Sequence, residues 1–330
     1  MTVVAWPTLD LYLNTTSAIG SAADENNKVT NTNLRDLVLS FSTTRGRQNS
    51  QGHFDPGTAT FELDNHDGRL DPTNTSSPFY PNLGPGNGYY LVAGGHSLFA
   101  GYADSYTPAY DYTGGERMIV QCSDLFKMLS LQTWQPPLPL AEQTPSARIT
   151  QILADIGFTV SWLTGDTGNS VCVGIPVDAN DPTAVHSEGA LAAMQAAAED
   201  TETGLLFMKA NGTIQFYDRY QRQGLGASTA VTFGDGGGSE VEYEQDISPT
   251  TDDTLLVNGA TVTDGLGQSY TYQDAASIAK YGPRFISLQT LAASPNEAGD
   301  QAAFLVQTQK DARLRFDGIT SRPIITLSTD

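Results

Sequence analysis

The chain has 330 residues, 39% of them hydrophobic, with 32 Gly and 17 Pro, so its length predicts two or three domains and its composition frequent turns. Its 37 acidic residues against 17 basic ones give a formal net charge of −20, which argues against a protein that grips nucleic acid by neutralising phosphates. No apolar run reaches the roughly 18 to 20 residues of a membrane-spanning helix, and Met1–Pro7 lacks a basic-then-apolar leader, so production in the cytoplasm of some cell is expected. The acidic residues are spread along the chain, which suits solubility alone and equally suits a surface past which DNA slides without sticking.

Leu9, Leu11 and Leu13 alternate with Asp10 and Tyr12, predicting a half-buried strand over Thr8–Leu13. The polar stretch Asn14–Asn33 predicts a loop or long hairpin tip, and Leu37, Leu39 and Phe41 predict a second strand within Leu34–Thr43. His53-Phe54-Asp55-Pro56-Gly57 reads as a turn: Pro56 fixes its own φ and keeps Asp55 extended, while Gly57 tolerates positive φ. A strand follows at Thr58–Leu63, with Ala59, Phe61 and Leu63 on one face, and Asn65-His66-Asp67-Gly68 closes it as a tight turn. An extended Pro-rich exit runs through Pro81 to a turn at Gly84–Gly88. Strands at Tyr89–Val92, Ser97–Tyr106 and Met118–Asp124 then complete the pattern of an antiparallel barrel or sandwich.

The Pro-rich break at Pro136–Pro139 changes the periodicity. Thr144 as cap, Pro145 in the first turn, the stripe Ile149, Ile152, Leu153 and Ile156, and the stop at Gly157 predict a helix. A short strand at Phe158–Leu163, a turn at Gly165–Asn169 and a second helix over about Ser187–Thr203, with Leu191, Met194 and Ala198 inward, follow. Gly204–Met208 and Gly212–Tyr217 form a hairpin around Ala210-Asn211-Gly212. Farther on, strands are predicted at Val231–Phe233, Val241–Tyr243, Asp252–Val262 and Gln268–Tyr272, with a Gly-rich turn at Gly234–Gly238. A short helix at Asp274–Tyr281 stops at Gly282-Pro283. Ser294-Pro295-Asn296-Glu297 reads as a capping box before a helix carrying Ala298, Ala302, Leu305 and Val306, and a strand lies near Leu314 and Phe316.

Chemistry-bearing patterns are few. Glu199 and Glu202, one helical turn apart, have the spacing of a glycosidase acid and base, but with no aromatic platform nearby in sequence the stronger reading is a solvated helix face. In Leu63–Gly68 the register that puts Gly68 at the sixth position of a calcium loop puts Leu63 where an acid is needed, so the turn reading prevails. His53, His66, His96 and His186 lack metal-protease spacing and read as loop and strand-end residues. Tyr102, Tyr106, Tyr110 and Tyr112 read as a barrel face or subunit interface before a sugar-stacking surface. Cys122 and Cys172 lie in apolar runs without Cys-x-x-Cys spacing, and are expected reduced and buried. The expectation is therefore no catalytic residue, no cofactor, no metal and no enzyme.

Beyond these patterns, Phe54-Asp55-Pro56-Gly57 through Thr60, Leu63-Asp64-Asn65, Asp67-Gly68-Arg69, and Asp71-Pro72 through Tyr80-Pro81 closely resemble a signature of minor tail proteins. The family is that of the tail hub, or baseplate hub, proteins of long-tailed bacteriophages infecting actinobacteria. The resemblance continues at Leu98–Tyr102, which includes Gly101, and at Cys122–Phe126 and Leu255–Gly259. It continues too at Glu202–Arg219, with Gly204, Gly212 and Arg219, and at Ser277–Arg284, with Ser277, Tyr281, Gly282 and Arg284.

The resemblance implies a mainly β fold with an α/β insert, in which two antiparallel β-barrel hub domains, 1–134 and 227–330, flank a small α/β domain at 135–226. It also implies a structural virion component: a homotrimer at the tail tip, linking the tail tube and distal tail protein to tip or fibre proteins and lining the DNA exit channel. Tape-measure and other minor tail proteins would be neighbours, and DNA would pass without specific binding. Related hubs continue past the position of Asp330 with strands that close the second barrel, so either another chain completes it or a distal domain is absent. The alternative is a carbohydrate-binding or glycoside-cleaving protein acting on the host surface.

Overall fold

The structure, a computed structural model, describes residues 8–15, 32–47, 52–110, 116–158, 160–181, 184–224, 232–234, 240–241 and 249–316. Alternating apolar residues build its first unit, from β1 (Leu9–Asn14), β2 (Thr32–Asn33), β3 (Val38–Gly46), β4 (Asp55–Asp64), β5 (Gly88–Ala93), β6 (His96–Tyr110) and β7 (Glu116–Ser123). All pairings are antiparallel, in the order β2-β1-β5-β6-β7-β4-β3. Period-two alternation sends Leu11, Leu13, Phe61, Leu63, Tyr89, Leu91 and Val120 to one face. Leu70 and Leu83, from the loop that leaves β4, cover that face. Tyr90, Val92, Ala100 and Tyr102 point the other way, into a second core shared with the helices that follow.

Two expectations fail here. Among the described residues β2 and β3 are free edges and do not pair, so the sheet is open and the expected barrel is not formed. Both faces are covered by the exit loop and the helices, so closure is not needed to bury them. Nor is His53–Gly57 a turn, because Asp55-Pro56-Gly57 already belongs to β4 and Gly57 does not take positive φ. Gly57 is small for a different reason: a Cβ there would sit 2.7 Å from Asp124 Oδ2. The turn at Asn65–Gly68 forms as expected, with Gly68 at φ 68° and Asn65 Oδ1 accepting from Leu70 N.

The middle region contains α1 (Leu125–Ser130), β8 (Thr133–Trp134), α2 (Pro145–Asp155), β9 (Leu163–Gly165), β10 (Glu188–Gly189), α3 (Ala190–Gln195), β11 (Leu205–Met208), β12 (Ile214–Tyr217) and α4 (Arg219–Gly224). α2 follows the sequence expectation, with Thr144 Oγ1 accepting from Ala147 N, Ile149, Ile152 and Leu153 buried, and Gly157 at φ 78°. The predicted strand at 158–163 is instead a 3₁₀ turn over Val160–Trp162 leading into β9, which pairs in parallel with β12. The second helix is shorter than expected: it begins after Gly189, becomes one π-helical turn over Ala196–Asp200, and ends there.

The last region comprises β13 (Pro249–Asp252), β14 (Gly259–Thr263), β15 (Ser269–Gln273), α5 (Ala275–Tyr281), β16 (Phe285–Gln289), α6 (Pro295–Gln309) and β17 (Arg313–Phe316). Among the described residues it forms a sheet β15-β14-β16 and a pair β13-β17, again without a closed barrel. Ala298, Ala302, Leu305 and Val306 of α6 pack on Val257, Ala260 and Val262. The strand predicted over Asp252–Val262 is broken, because Asp252 Oδ1 accepts from Thr254 N and Leu256 N donates to Asp253 O, turning the chain before β14. The capping box does not form either: Ser294 makes no side-chain cap, and Glu297 Oε2 instead accepts from Val171 N. α5 stops at Gly282, with φ 74°, as expected, and Asp274, read as its first residue, is instead its cap, accepting from Ser277 N. Of the strands expected at Val231–Phe233 and Val241–Tyr243, Phe233 and Val241 form an isolated bridge, while residues 231, 235–239 and 242–243 lie outside the described residues.

Candidate functional site

The three regions meet at a cleft of about 520 Å³. The π-helical turn brings Glu199 and Asp200 to it, the approach to β4 brings His53, the end of β3 brings Arg47, and α4 brings Arg222. Strand β16 and one face of α6 form the opposite wall. Such a turn inside a helix shifts the side chains that follow it, a distortion frequent at functional sites. Thr203, at φ 51°, makes the sharp bend from that turn into β11 in a region that a β-branched residue rarely occupies.

His53 Nδ1 lies 2.6 Å from Glu199 Oε2, and Glu199 Oε1 accepts from Leu206 N at 3.1 Å. The hydrogen bond to Glu199 raises the His53 pKa above the usual imidazole value, against the opposing effect of burial. The Arg47 guanidinium sits 5.1 Å from the Phe54 ring centroid, and Arg222 Nη1 donates to Thr203 O at 2.8 Å. Burial lowers the pKa of both guanidiniums. The His53–Glu199 contact ties the approach to β4 to the middle region; among the described residues lining the cleft there is no Phe, Tyr or Trp ring on which a sugar could stack.

Glu199 and Glu202 are not a solvated helix face. Glu202 is 0% exposed, does not line the cleft, and accepts from Ser170 N at 2.6 Å and Asn169 N at 3.1 Å. It turns away from Glu199 because the helix has already ended, so the two carboxyl groups do not flank one substrate. Among the described residues, no group of three or more His, Cys, Asp or Glu is arranged to hold a metal ion. Both cysteines are free and buried. Tyr102 is buried and Tyr110 is 71% exposed, while Tyr106 shares hydrogen bonds with Tyr89 and Asn87; Tyr112 lies outside the described residues.

Some of the signature residues join distant segments and others shape local turns. Phe54 packs on Phe207 with ring centroids 5.3 Å apart, and its carbonyl accepts from Gln195 Nε2. Pro56 and Gly57 open β4, where Gly57 N donates to Asp124 Oδ2 at 2.7 Å. Leu63 is buried, Asp64 Oδ1 accepts from His66 N, and Asp67 pairs with Arg69. Asp71 Oδ1 accepts from Thr73 N, next to Pro72, and Tyr80 is exposed before a cis bond to Pro81. A Cβ on Gly101 would meet Ser123 O at 2.5 Å, and one on Gly204 would meet Tyr217 O at 2.4 Å. Gly212, at φ 89°, turns the β11–β12 hairpin. Arg219 Nε lies 3.9 Å from Glu202 Oε1.

In the last region Asn258 joins two of the resembling segments, donating from Nδ2 to Gly282 O and accepting Arg284 N at Oδ1, each at 2.7 Å. Ser277 Oγ donates to Lys310 O, and Lys280 Nζ lies 4.6 Å from the Tyr281 ring centroid. Asp124 and Asn258 were not singled out as functional by sequence, and Glu199 was read there as part of a solvated helix face. The signal for Asp124 and Asn258 was their place inside segments that already resembled the family.

No family model matches the chain, and no curated protein does. Solved structures do. The 43 kDa tail protein of prophage MuSo2 from Shewanella oneidensis is 12% identical, over 90% of this chain and 76% of that one, with a TM-score of 0.46. Prophage tail protein gp18 from Listeria monocytogenes EGD-e is 13% identical, over 90% and 76%, with a TM-score of 0.47. The tail protein from Neisseria meningitidis MC58 is 12% identical, over 89% of this chain and 74% of that one, with a TM-score of 0.51, and this chain shares its fold.

Proposed function

We propose that the chain is a structural component of a bacteriophage tail, a homotrimeric hub at the tail tip. The observation that carries this reading is the fold shared with the Neisseria tail protein over 89% of the chain, on top of which some of the hub-like segments join distant parts of the fold. In this reading 1–134, 135–226 and 227–330 act as three domains, and the trimer joins the tail tube and distal tail protein to tip or fibre proteins around the DNA exit channel. The net charge of −20 suits a wall past which DNA moves without being held.

An uncharged edge supports self-association. β3 bounds the first sheet, carries no charge from Val38 to Thr44, and exposes 55% of Leu39 and 40% of Phe41. Natural edge strands are commonly guarded by charge or proline, and an unguarded apolar edge is a surface for another chain. Light scattering of purified protein, with antibody labelling of phage particles in the electron microscope, tests the proposal. A trimer and label at the tail tip are expected; a monomer at all concentrations, absent from tails, overturns it.

A further inference from the structure

Glu202 and Arg219 form a buried charge pair outside the lining of the cleft. Glu202 is 0% exposed and Arg219 6%, yet Arg219 Nε stands 3.9 Å from Glu202 Oε1, beyond hydrogen-bond reach. Four buried side-chain polar atoms among the described residues lack a hydrogen-bond partner, and three of them belong to this group: Glu202 Oε1, Arg219 Nη1 and Ser170 Oγ. Ser170 is part of the same cluster, since its backbone N–H donates to the other oxygen of Glu202 at 2.6 Å. Orphaned atoms on two opposite charges and a neighbouring hydroxyl are a costly arrangement unless something joins them.

We infer that one buried water molecule bridges Glu202 Oε1, Arg219 Nη1 and Ser170 Oγ. The chemistry of the three atoms selects the bridging species. Arg219 Nη1 can only donate, so the bridge must accept; a carboxylate oxygen can only accept, so the bridge must also donate. A halide accepts but cannot donate and would face the carboxylate, while a metal ion or ammonium cannot accept from a guanidinium. Water does both. The Ser170 hydroxyl rotates to serve either role, giving the bridge three partners, a usual number for an internal water.

The position gives this water a structural role. Ser170 lies in the loop after β9, Glu202 follows the π-helical turn and Arg219 opens α4, so one molecule fastens three segments of the middle region. The next residue of that loop, Val171, donates to Glu297 Oε2 of α6, linking the same cluster to the last region. A solvent-bridged pair keeps both charges hydrogen-bonded without forcing Arg219 and Glu202 into direct contact.

A high-resolution crystal structure of the full chain, with parallel crystals soaked in bromide and in rubidium, tests the inference. One spherical peak within about 2.6–3.2 Å of all three atoms, with no anomalous signal after either soak, is expected. Direct contact between Arg219 and Glu202 with no peak between them overturns it. So does an anomalous peak at that position, which would assign the site to an exchangeable ion.

Discussion

Gly57 and Asp124 hold each other by reciprocal hydrogen bonds: Gly57 N donates to Asp124 Oδ2 at 2.7 Å, and Asp124 N donates to Gly57 O at 2.9 Å. Asp124 Oδ1 also accepts from Phe126 N and so caps α1. One carboxylate thus fastens the first residues of β4 to the helix that begins the middle region.

Gly57→Ala should break this fastening. The new Cβ would lie 2.7 Å from Asp124 Oδ2 and 3.0 Å from Arg45 Cγ, and moving the carboxylate aside would forfeit its bonds. A loss of about 1–3 kcal/mol, the usual cost of overpacking, is expected in denaturant unfolding. The same change made in an Asp124→Ala background should cost less, because the clashing oxygen is gone.

Asp124 also gives stability a pH dependence with a definite sign. Burial raises its folded pKa from 3.8 to about 7, against the lowering effect of its backbone hydrogen bonds. Between those values the folded state binds the proton more tightly than the unfolded state. Its contribution is therefore largest at low pH, falls as pH rises from 3.8 to about 7, and is flat above. Asp124→Asn should cost about 1–2 kcal/mol through the lost acceptor and should abolish that slope. Melting temperatures of both proteins across the interval, read as a difference, check the sign.

The Gly57–Asp124 pair also shows what the sequence could and could not disclose. The strand at Leu9–Asn14, the Thr58–Leu63 part of β4, and α2 with its Thr144 cap and Gly157 stop, were legible because alternation, capping and glycine stops are local. Pro56-Gly57 misled because the reason for Gly57 is an aspartate 67 residues away. Glu202 misled in the same way: its spacing from Glu199 fits a helix face, but the helix ends first, and the donors that bury it lie 32 and 33 residues away. The cleft was unreadable because His53, Glu199 and β16 come from three separate regions. Closure of a sheet is likewise a property of its two edges, which alternation within single strands does not encode.

The His53–Glu199 bond should make the junction between the first sheet and the middle region sensitive to pH. The folded pKa of His53 is raised, chiefly by that hydrogen bond. Its stabilising contribution is complete below the ordinary imidazole pKa of about 6.5 and is lost as pH rises through the higher folded value. His53→Ala should lower the melting temperature more at pH about 6 than at pH about 9. An NMR titration placing the His53 pKa at or below the ordinary value would contradict the assignment. Because half of the imidazole faces solvent, the effect should be small and should shrink in high salt.

The β3 edge offers the sharpest separation of assembly from folding. Phe41 stands opposite Phe61 in the register of β3 and β4, so the apolar face that is fully covered at Phe61 continues uncovered to the edge. Leu39→Lys combined with Phe41→Lys removes that apolar surface and adds charge to a strand that has none from Val38 to Thr44. Leu39 is 55% and Phe41 40% exposed, so the folded protomer should lose only about 1–2 kcal/mol of stability. Two lysines on an edge are, by contrast, an effective block to strand addition and apolar docking. Light scattering should therefore show a fall from trimer to monomer while thermal unfolding changes little. A trimer that survives the double substitution at the same protein concentration would move the subunit contact away from β3.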